Sequence, residues 1–497
     1  MSLKLHQLKT GDKLADEKNQ SSKDFFISID EASETIGKHV EQGEFIRVVS
    51  HLDADGVSAA SIMGKALHRA EAFYRIRIVK QLDEESVETL AGEEGSLLVF
   101  TDLGSGSLDL LRTKLAECEL IVLDHHKPME VAVPNLVHVN PHLSGYDGAR
   151  EISGAGVAYL TAKAMDESNV DSAPLAVVGA LGDSQDKNSE RELKGLNKEI
   201  VRDAVKAGYI QVEKDLIFYG RETRSIHKAL AYTTDPFIPG LSCQEDKCLG
   251  FLVNLGIKLK NQDRWRAIND LTVEEKQSIF SEIAKYLSSK GSPDSIALRL
   301  IGTVYTLVQE DRWTPMRDGR EYASFLNACG RMGRGGLGVA IGIGSRGEAL
   351  DEALEVHSDY KRTLSEYVDW VTRTPGTVRK LDNIYVIDGS GVIDELIIGT
   401  IASILSNSGS LDEEKPIVAL TSAGDDIVKV SGRTPSSFGD GRVNLGSIFQ
   451  EVSTKLNGRG GGHDVAAGAQ VPREFEDEFI RLVDKLVGSM LKAEETR

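Results

Sequence analysis

The chain has 497 residues, 40% hydrophobic and 27% charged, with a formal net charge of −19. That length exceeds one ordinary core, so two or three globular domains are expected. No apolar run is long enough to cross a bilayer and no basic-then-apolar leader opens the chain, which argues against a membrane or secreted protein and predicts a cytoplasmic one, its four cysteines reduced.

Residues 1–23 are polar and predict a flexible N-terminus. Residues 24–188 alternate short β-rich runs with helical patterns. Strand Phe45–Val49 leads to helix Val57–Arg69, strand Tyr74–Val79, helix Glu84–Leu90 and strand Leu97–Thr101. Helix Leu108–Cys118, strand Leu120–Leu123 and strand Val137–Val139 follow, then two apolar helices at Gly154–Met165 and Pro174–Leu181. This alternation predicts a parallel sheet with helices on both faces. Residues 189–325 read as a mostly helical insert or connector, with helices at Leu271–Leu287 and Ser295–Gln309. Residues 326–375 form a linker that carries a charged bridging helix, Glu348–Arg373. From 376 to 497 the pattern returns, with strands Asn383–Ile387, Ile417–Thr421 and Ile427–Gly432 and helices Ile393–Ser408 and Arg473–Leu491. The fold class expected is α/β and two-lobed.

Three of these strands end in chemistry. His51-Leu52-Asp53-Ala54-Asp55-Gly56 follows the first, Asp102 the third and Asp124-His125-His126 the fourth, while Gly179 to Asp186 makes an acidic turn after an apolar helix. In an open α/β sheet the carboxyl ends of the strands line one edge, where ligands bind. In extended backbone residues 51, 53 and 55 face one way. A single aspartate after a strand is usually a helix cap or turn residue. Capping needs neither His51 nor His125, however, and four such segments on one edge predict a site for more than one divalent cation. The net acidity argues against whole-surface attraction to nucleic acid, but bound cations can supply local positive charge for a polyanion. Cys243 and Cys248 could clip a loop or hold half a zinc site, though no partner ligands lie nearby in sequence.

These four blocks resemble the DHH phosphoesterase superfamily, in order, in spacing and in the HxDxDG form. Gly458-Arg459-Gly460-Gly461-Gly462-His463 looks like the GGGH signature of the associated C-terminal DHHA1 domain, and Ser431-Gly432-Arg433 like its phosphate-contacting turn. Asn327-Ala328-Cys329-Gly330-Arg331-Met332-Gly333 is similar to a segment of the RecJ exonuclease branch. Within the superfamily the chain looks most like the archaeal RecJ-like proteins, relatives of the GINS-associated nuclease and of the eukaryotic Cdc-type helicase subunit.

The resemblance implies an N-terminal DHH catalytic domain and a C-terminal DHHA1 domain, joined by helices and the insert. It implies two manganese ions, with magnesium as the alternative. His51, Asp53 and Asp102 would hold one ion, and Asp55, Asp102, His125 and Asp183 the other, so that Asp102 bridges. Gly179 stands four residues before Asp183, as in the family's pattern; Gly182 bears the same relation to Asp186, which stays open as the alternative. Asp124 would orient an imidazole and His126 would face the scissile phosphate. Arg433, Gly460, Gly461, Gly462 and His463 would bind substrate, with Arg331 and Arg334 as weaker candidates. The activity implied is a single-strand-specific exonuclease, 5′ to 3′ on DNA and also on RNA, in replication and repair, with GINS and the replicative helicase as partners. The alternatives are a phosphodiesterase of small molecules or oligoribonucleotides, and a replication scaffold.

Overall fold

A computed structural model describes residues 23–495 except 234, 292–293, 408–410, 412–414, 425, 436–437 and 439–441. The expected flexible N-terminus lies, but for Lys23, outside the described residues. The chain forms two compact units: residues up to 223 with 301–357, and residues 224–300 with those from 358 onward.

The first unit is built on a five-stranded parallel sheet: β1 Phe45–His51, β2 Phe73–Val79, β3 Leu97–Thr101, β4 Glu119–Leu123 and β5 Leu136–Val139. The strand order is β2-β1-β3-β4-β5. The inner strands are apolar on both faces because both faces are covered. Val48, Leu97, Val99, Ile121 and Leu123 join a core shared with helices Ala54–Arg69, Gly154–Met165 and Ala173–Gly182. Val49, Leu98, Phe100, Leu120 and Val122 point the other way, onto helices Glu84–Ala91 and Leu108–Lys114. Strand order reverses direction between β1 and β3, so a crevice opens at their carboxyl ends. His51 closes β1 and Asp102 follows β3.

The segment expected as helix Ser295–Gln309 is different. A short helix, Asp294–Leu298, gives way to β9 Ile301–Leu307, which pairs antiparallel with β6 Ile210–Leu216 in a two-stranded sheet. Ile301, Thr303, Val304 and Thr306 are β-branched and favour extended backbone. Over so short an apolar run, periodicity does not separate helix from strand. Between β6 and β9 the chain makes helices Ile226–Tyr232, Glu245–Asn254 and Val273–Ser289 and a small hairpin of β7 Lys260–Asn261 and β8 Arg264–Trp265.

After β9 come helices Gly319–Arg331 and Gly335–Ile343, then the long helix Glu348–Arg373, which carries the chain into the second unit. There a mixed sheet runs β10-β11-β12-β13-β15-β14, with β10 Val378–Lys380, β11 Tyr385–Asp388, β12 Ile417–Ser422, β13 Ile427–Arg433, β14 Arg459–Gly462 and β15 Ala466–Pro472. Only β11 and β12 pair in parallel among these neighbours. Val386, Val418, Leu420, Val430 and Val471 form its core with Phe449 and Phe479 from helices Leu445–Lys455 and Glu476–Glu495. Two α/β lobes linked through helices are thus present, as the sequence led one to expect. No described helix is long and apolar enough to cross a membrane.

Candidate metal centre

β1 delivers His51 to the sheet edge, and Asp53 caps the helix that follows, its Oδ1 accepting from the Gly56 amide at 3.0 Å. Gly56 permits this turn, because a β-carbon there would overlap the His51 carbonyl. His51 Nδ1 lies 2.9 Å from Asp53 Oδ2 and 3.7 Å from Asp102 Oδ2. Asp55, one residue into the helix, is fully buried. Its two oxygens accept from the amides of Gly154 at 2.6 Å and Ala155 at 3.0 Å. Those amides are unpaired donors at the start of helix Gly154–Met165, where a carboxylate is favoured.

Asp102 sits in the left-handed region (φ 59), and its amide donates to the Leu123 carbonyl at 2.9 Å. That bond ties β3 to the end of β4, where Asp124, His125 and His126 follow. His125 Nδ1 donates to the Gly148 carbonyl at 2.6 Å, so the lone pair is left on Nε2. That nitrogen lies 3.2 Å from Asp102 Oδ1, 3.2 Å from Asp183 Oδ2 and 3.6 Å from Asp55 Oδ2. Asp124 is occupied differently. Its Oδ1 accepts from His126 Nδ1 at 2.8 Å and from the amides of His125 and His126, and its Oδ2 accepts from the Ser105 amide at 2.9 Å. It therefore holds His126, whose side chain stays 49% exposed. Asp183 caps the C-terminal end of helix Ala173–Gly182. Asp186 does not join the cluster and pairs with Arg320 through both Nε (3.1 Å) and Nη2.

The candidate donor atoms fall into three groups, each within 4.8 Å: His51, Asp53 and Asp102; Asp55, His125 and Asp183; and Asp102, Asp124, His125 and His126. Four atoms in them are buried with no hydrogen-bond partner: His51 Nδ1, His125 Nε2 and both oxygens of Asp102. Buried polar atoms are rarely left so, and here they converge on one another. Carboxylate oxygens with two imidazoles suit manganese, and magnesium less closely. The residues present thus fit the cations that the resemblance implies.

The electrostatics agree. Burial pushes Asp55 well above the usual carboxylate range, and Asp102 and Asp183 push it further. Burial carries Asp183 up to about 7 against the pull of His125, with Asp53 and Asp102 adding to the rise. Burial would depress both imidazoles, but Asp53 and Asp102 hold His51 well above its ordinary value, and Asp102, Asp183 and Asp55 do the same for His125. Asp53 and Asp124 are desolvated too, yet His51 and the Gly56 amide hold the first low, and His126, His125 and the Ser105 amide the second. Arg331 adds to the lowering of Asp53, whereas Arg334 pairs with Glu352. Crowded carboxylates that raise one another are what a polyvalent cation relieves.

The second unit holds the other predicted residues. Arg433 ends β13 opposite Ala466 of β15, its Nε donating to Ser403 Oγ at 2.7 Å and its Nη1 to the Gly432 carbonyl at 2.7 Å. Gly460, Gly461 and Gly462 are the glycines for which the resemblance implies substrate binding. They form the edge strand β14, paired with Ala469, Gly468 and Ala467. Their small size also admits helix Leu445–Lys455: a β-carbon on Gly460 would come within 2.6 Å of Ser453 Oγ, and one on Gly446 would overlap the Gly462 carbonyl. His463 is exposed in the turn, its amide donating to the Ala466 carbonyl at 2.8 Å.

Sequence reasoning did not find the groups that aim these side chains. Gly148, the amides of Gly154 and Ala155 and that of Ser105 do so directly, while Asn140 Nδ2 donates to the His126 carbonyl at 2.8 Å and Asn327 Oδ1 accepts from the Ala54 amide at 3.0 Å. The small-residue run Ser153-Gly154-Ala155-Gly156 opening a helix was the one local signal of a carboxylate-binding helix start.

Models of three protein families match the chain: the DHH family N-terminal domain over residues 45–181, the DHH-CID domain over 218–301 and the DHHA1 domain over 385–489. An uncharacterized protein of Methanocaldococcus jannaschii is 32% identical over 454 residues, covering 90% of this chain and 94% of that one. The single-stranded-DNA-specific exonuclease RecJ of Thermus thermophilus is 33% identical over 171 residues, which span 31% of this chain and only 24% of that protein. The crystal structure of RecJ from the same organism in complex with Mn2+ has a TM-score of 0.56 at 18% identity, over 93% of this chain and 55% of that one. CDC45 from Entamoeba histolytica has a TM-score of 0.61 at 12% identity, over 93% and 99%. At these identities the two structures speak for the fold alone.

Proposed function

The chain belongs to the DHH family, and from that premise we propose that it is a divalent-metal-dependent phosphodiesterase acting as an exonuclease on single strands. Single-stranded DNA is the leading substrate and RNA a second one, with digestion from the 5′ end. The observation that carries the reading is the convergence of buried, unpartnered donors on Asp102, flanked by His51 with Asp53 on one side and by His125 with Asp55 and Asp183 on the other. The sequence likeness to RecJ over 171 residues supports the choice of single strands.

Two manganese ions would be held by His51, Asp53 and Asp102 and by Asp55, Asp102, His125 and Asp183. Divalent ions supply Lewis-acid activation of water and neutralise charge on the phosphoryl oxygens. The chain's own groups do the rest. Gly148 fixes the His125 tautomer, so Nε2 serves as a donor without adding charge. The amides of Gly154 and Ala155 keep Asp55 aimed inward. Asp124 anchors His126 through Nδ1, which leaves Nε2 of a half-exposed ring free to face substrate and to protonate a leaving oxygen. Arg433 and His463 in the second unit would grip the phosphate and sugar of the strand.

A phosphodiesterase of oligoribonucleotides or other small molecules is the runner-up. A scaffold that tethers GINS and the replicative helicase ranks lower, since each ligand position carries a competent side chain. Strands labelled at either end, in deoxy and ribo versions, digested with and without manganese, test the proposal. Release of labelled mononucleotide at once from the 5′ label, and late from the 3′ label, is the expected result. Manganese-independent cleavage, or none on any strand, would overturn it.

A further inference from the structure

Helix Gly319–Arg331 lies against two ligand-bearing segments that are far apart in sequence. At one end of the contact, Asn327 Oδ1 accepts from the Ala54 amide at 3.0 Å. Ala54 sits between Asp53 and Asp55, and its amide is among the first-turn donors that a helix cannot satisfy itself. One turn further on, a β-carbon on Gly330 would overlap the Leu52 carbonyl, so this helix face touches the backbone of the loop that carries His51, Asp53 and Asp55. The other end holds the Asp183 turn. A β-carbon on Gly319 would come within 2.7 Å of Leu181 Cδ1, and Arg320 takes Asp186 in a forked pair. The two segments also meet each other beneath the helix: a β-carbon on Gly182 would lie 2.8 Å from that of Ala54 and 3.8 Å from that of Ala323.

We propose that helix Gly319–Arg331 sets the spacing between the two groups of metal donors, with Asn327 and Arg320 as its positioning residues. Neither touches a donor atom directly. Asn327 fixes the peptide between Asp53, in the His51 group, and Asp55, in the His125 group. Arg320 fixes the turn that presents Asp183. Outer groups of this kind orient the ligands and alter metal affinity by about 10–100-fold. The proposal rests on the metal-centre reading and is independent of which strand is cut.

The test is a manganese titration of the full chain followed by electron paramagnetic resonance. Free ion, bound ion and the exchange-coupled signal of an ion pair are separately visible in it. The parent should bind two ions and give a coupled signal. Asn327→Ala should weaken binding of at least one ion about 10-fold or more and change the coupled signal. Asn327→Asp keeps an acceptor for the Ala54 amide and should restore both. Arg320→Lys keeps the charge but loses the fork, and should weaken one ion in the same way. Ser324→Ala removes a bond to Tyr219 from the same helix and should bind as the parent does. Unchanged binding and signal in Asn327→Ala would overturn the proposal, as would an equal loss in Ser324→Ala. If Asn327→Ala does not fold, Asn327→Asp and Arg320→Lys decide. A parent that binds no manganese defeats both this inference and the metal centre. A parent that binds two ions yet cuts no strand defeats only the exonuclease assignment.

Discussion

His125 Nδ1 and the Gly148 carbonyl oxygen are 2.6 Å apart, a bond that points the other imidazole nitrogen at Asp102 and Asp183. Replacing the ring removes a neutral donor where three carboxylates already crowd. His125→Ala is expected to lose one manganese ion and to slow single-turnover cleavage by at least about 100-fold. Its far-ultraviolet circular dichroism should match the parent. Parent-like turnover would remove His125 from the centre.

The two aspartates of the acidic turn should separate cleanly. Asp183→Asn is expected to lose cleavage and to keep the fold. Asp186→Asn breaks the pair with Arg320 and should cost about 2 kcal/mol of stability, since that pair is partly shielded from water. It should keep cleavage at saturating manganese while binding one ion about 10-fold more weakly, as Arg320→Lys does. Urea melts beside rate measurements on both variants check this, and the reverse pattern would assign the ligand to Asp186.

Asp102 occupies left-handed backbone, a conformation that asparagine tolerates well. Asp102→Asn should therefore fold as the parent does, while cleavage falls below detection and manganese stoichiometry drops. Calorimetric titration gives the stoichiometry. Retention of both ions would end the bridging assignment.

Chelated protein should become less heat-stable as pH rises from 5 to 8. Asp55 and Asp183 keep their protons to higher pH in the fold than in the unfolded chain. Their contribution is complete below about 4 and is lost as pH climbs toward the folded value, about 7 for Asp183. His51 and His125, also raised, contribute fully below about 6.5 and lose that contribution as pH passes their folded values. Asp53 and Asp124 are held low, so their contribution is lost only in acid, outside this window. A fall in Tm on the order of 3–6 °C is expected, and manganese should flatten or reverse it. A chelated protein that gains heat stability with pH would contradict this.

In the second unit, Gly446→Ala places a methyl group on the Gly462 carbonyl. The strand edge or the helix must shift, at a cost of about 2 kcal/mol. A urea midpoint within error of the parent would show that the close approach is not needed.

The sheet of the first unit was legible because its inner strands are short apolar runs bounded by turn residues, and because His51, Asp102 and Asp124 each follow one of them. Helices Gly154–Met165 and Glu348–Arg373 have the bounds that their patterns predicted. β9 was misread because Ile301 to Leu307 is too short for its period to tell, and its partner β6 lies across the whole insert. The run Gly460–Gly462 carries no side chain to signal an edge strand; only the approach of helix Leu445–Lys455 explains it. Gly148, and the role of Asn327 within its RecJ-like segment, were invisible for a further reason. Each acts through one main-chain bond to a residue distant in sequence, and no local pattern encodes such a partner.

Asp53 and Asp183 precede the insert, whereas the helix bearing Arg320 and Asn327 follows it. A ribosome makes roughly 5–20 residues each second, so the donors leave the exit tunnel several seconds before their brace. On the proposed reading, a chain halted within the insert carries the metal donors but lacks the helix that spaces them.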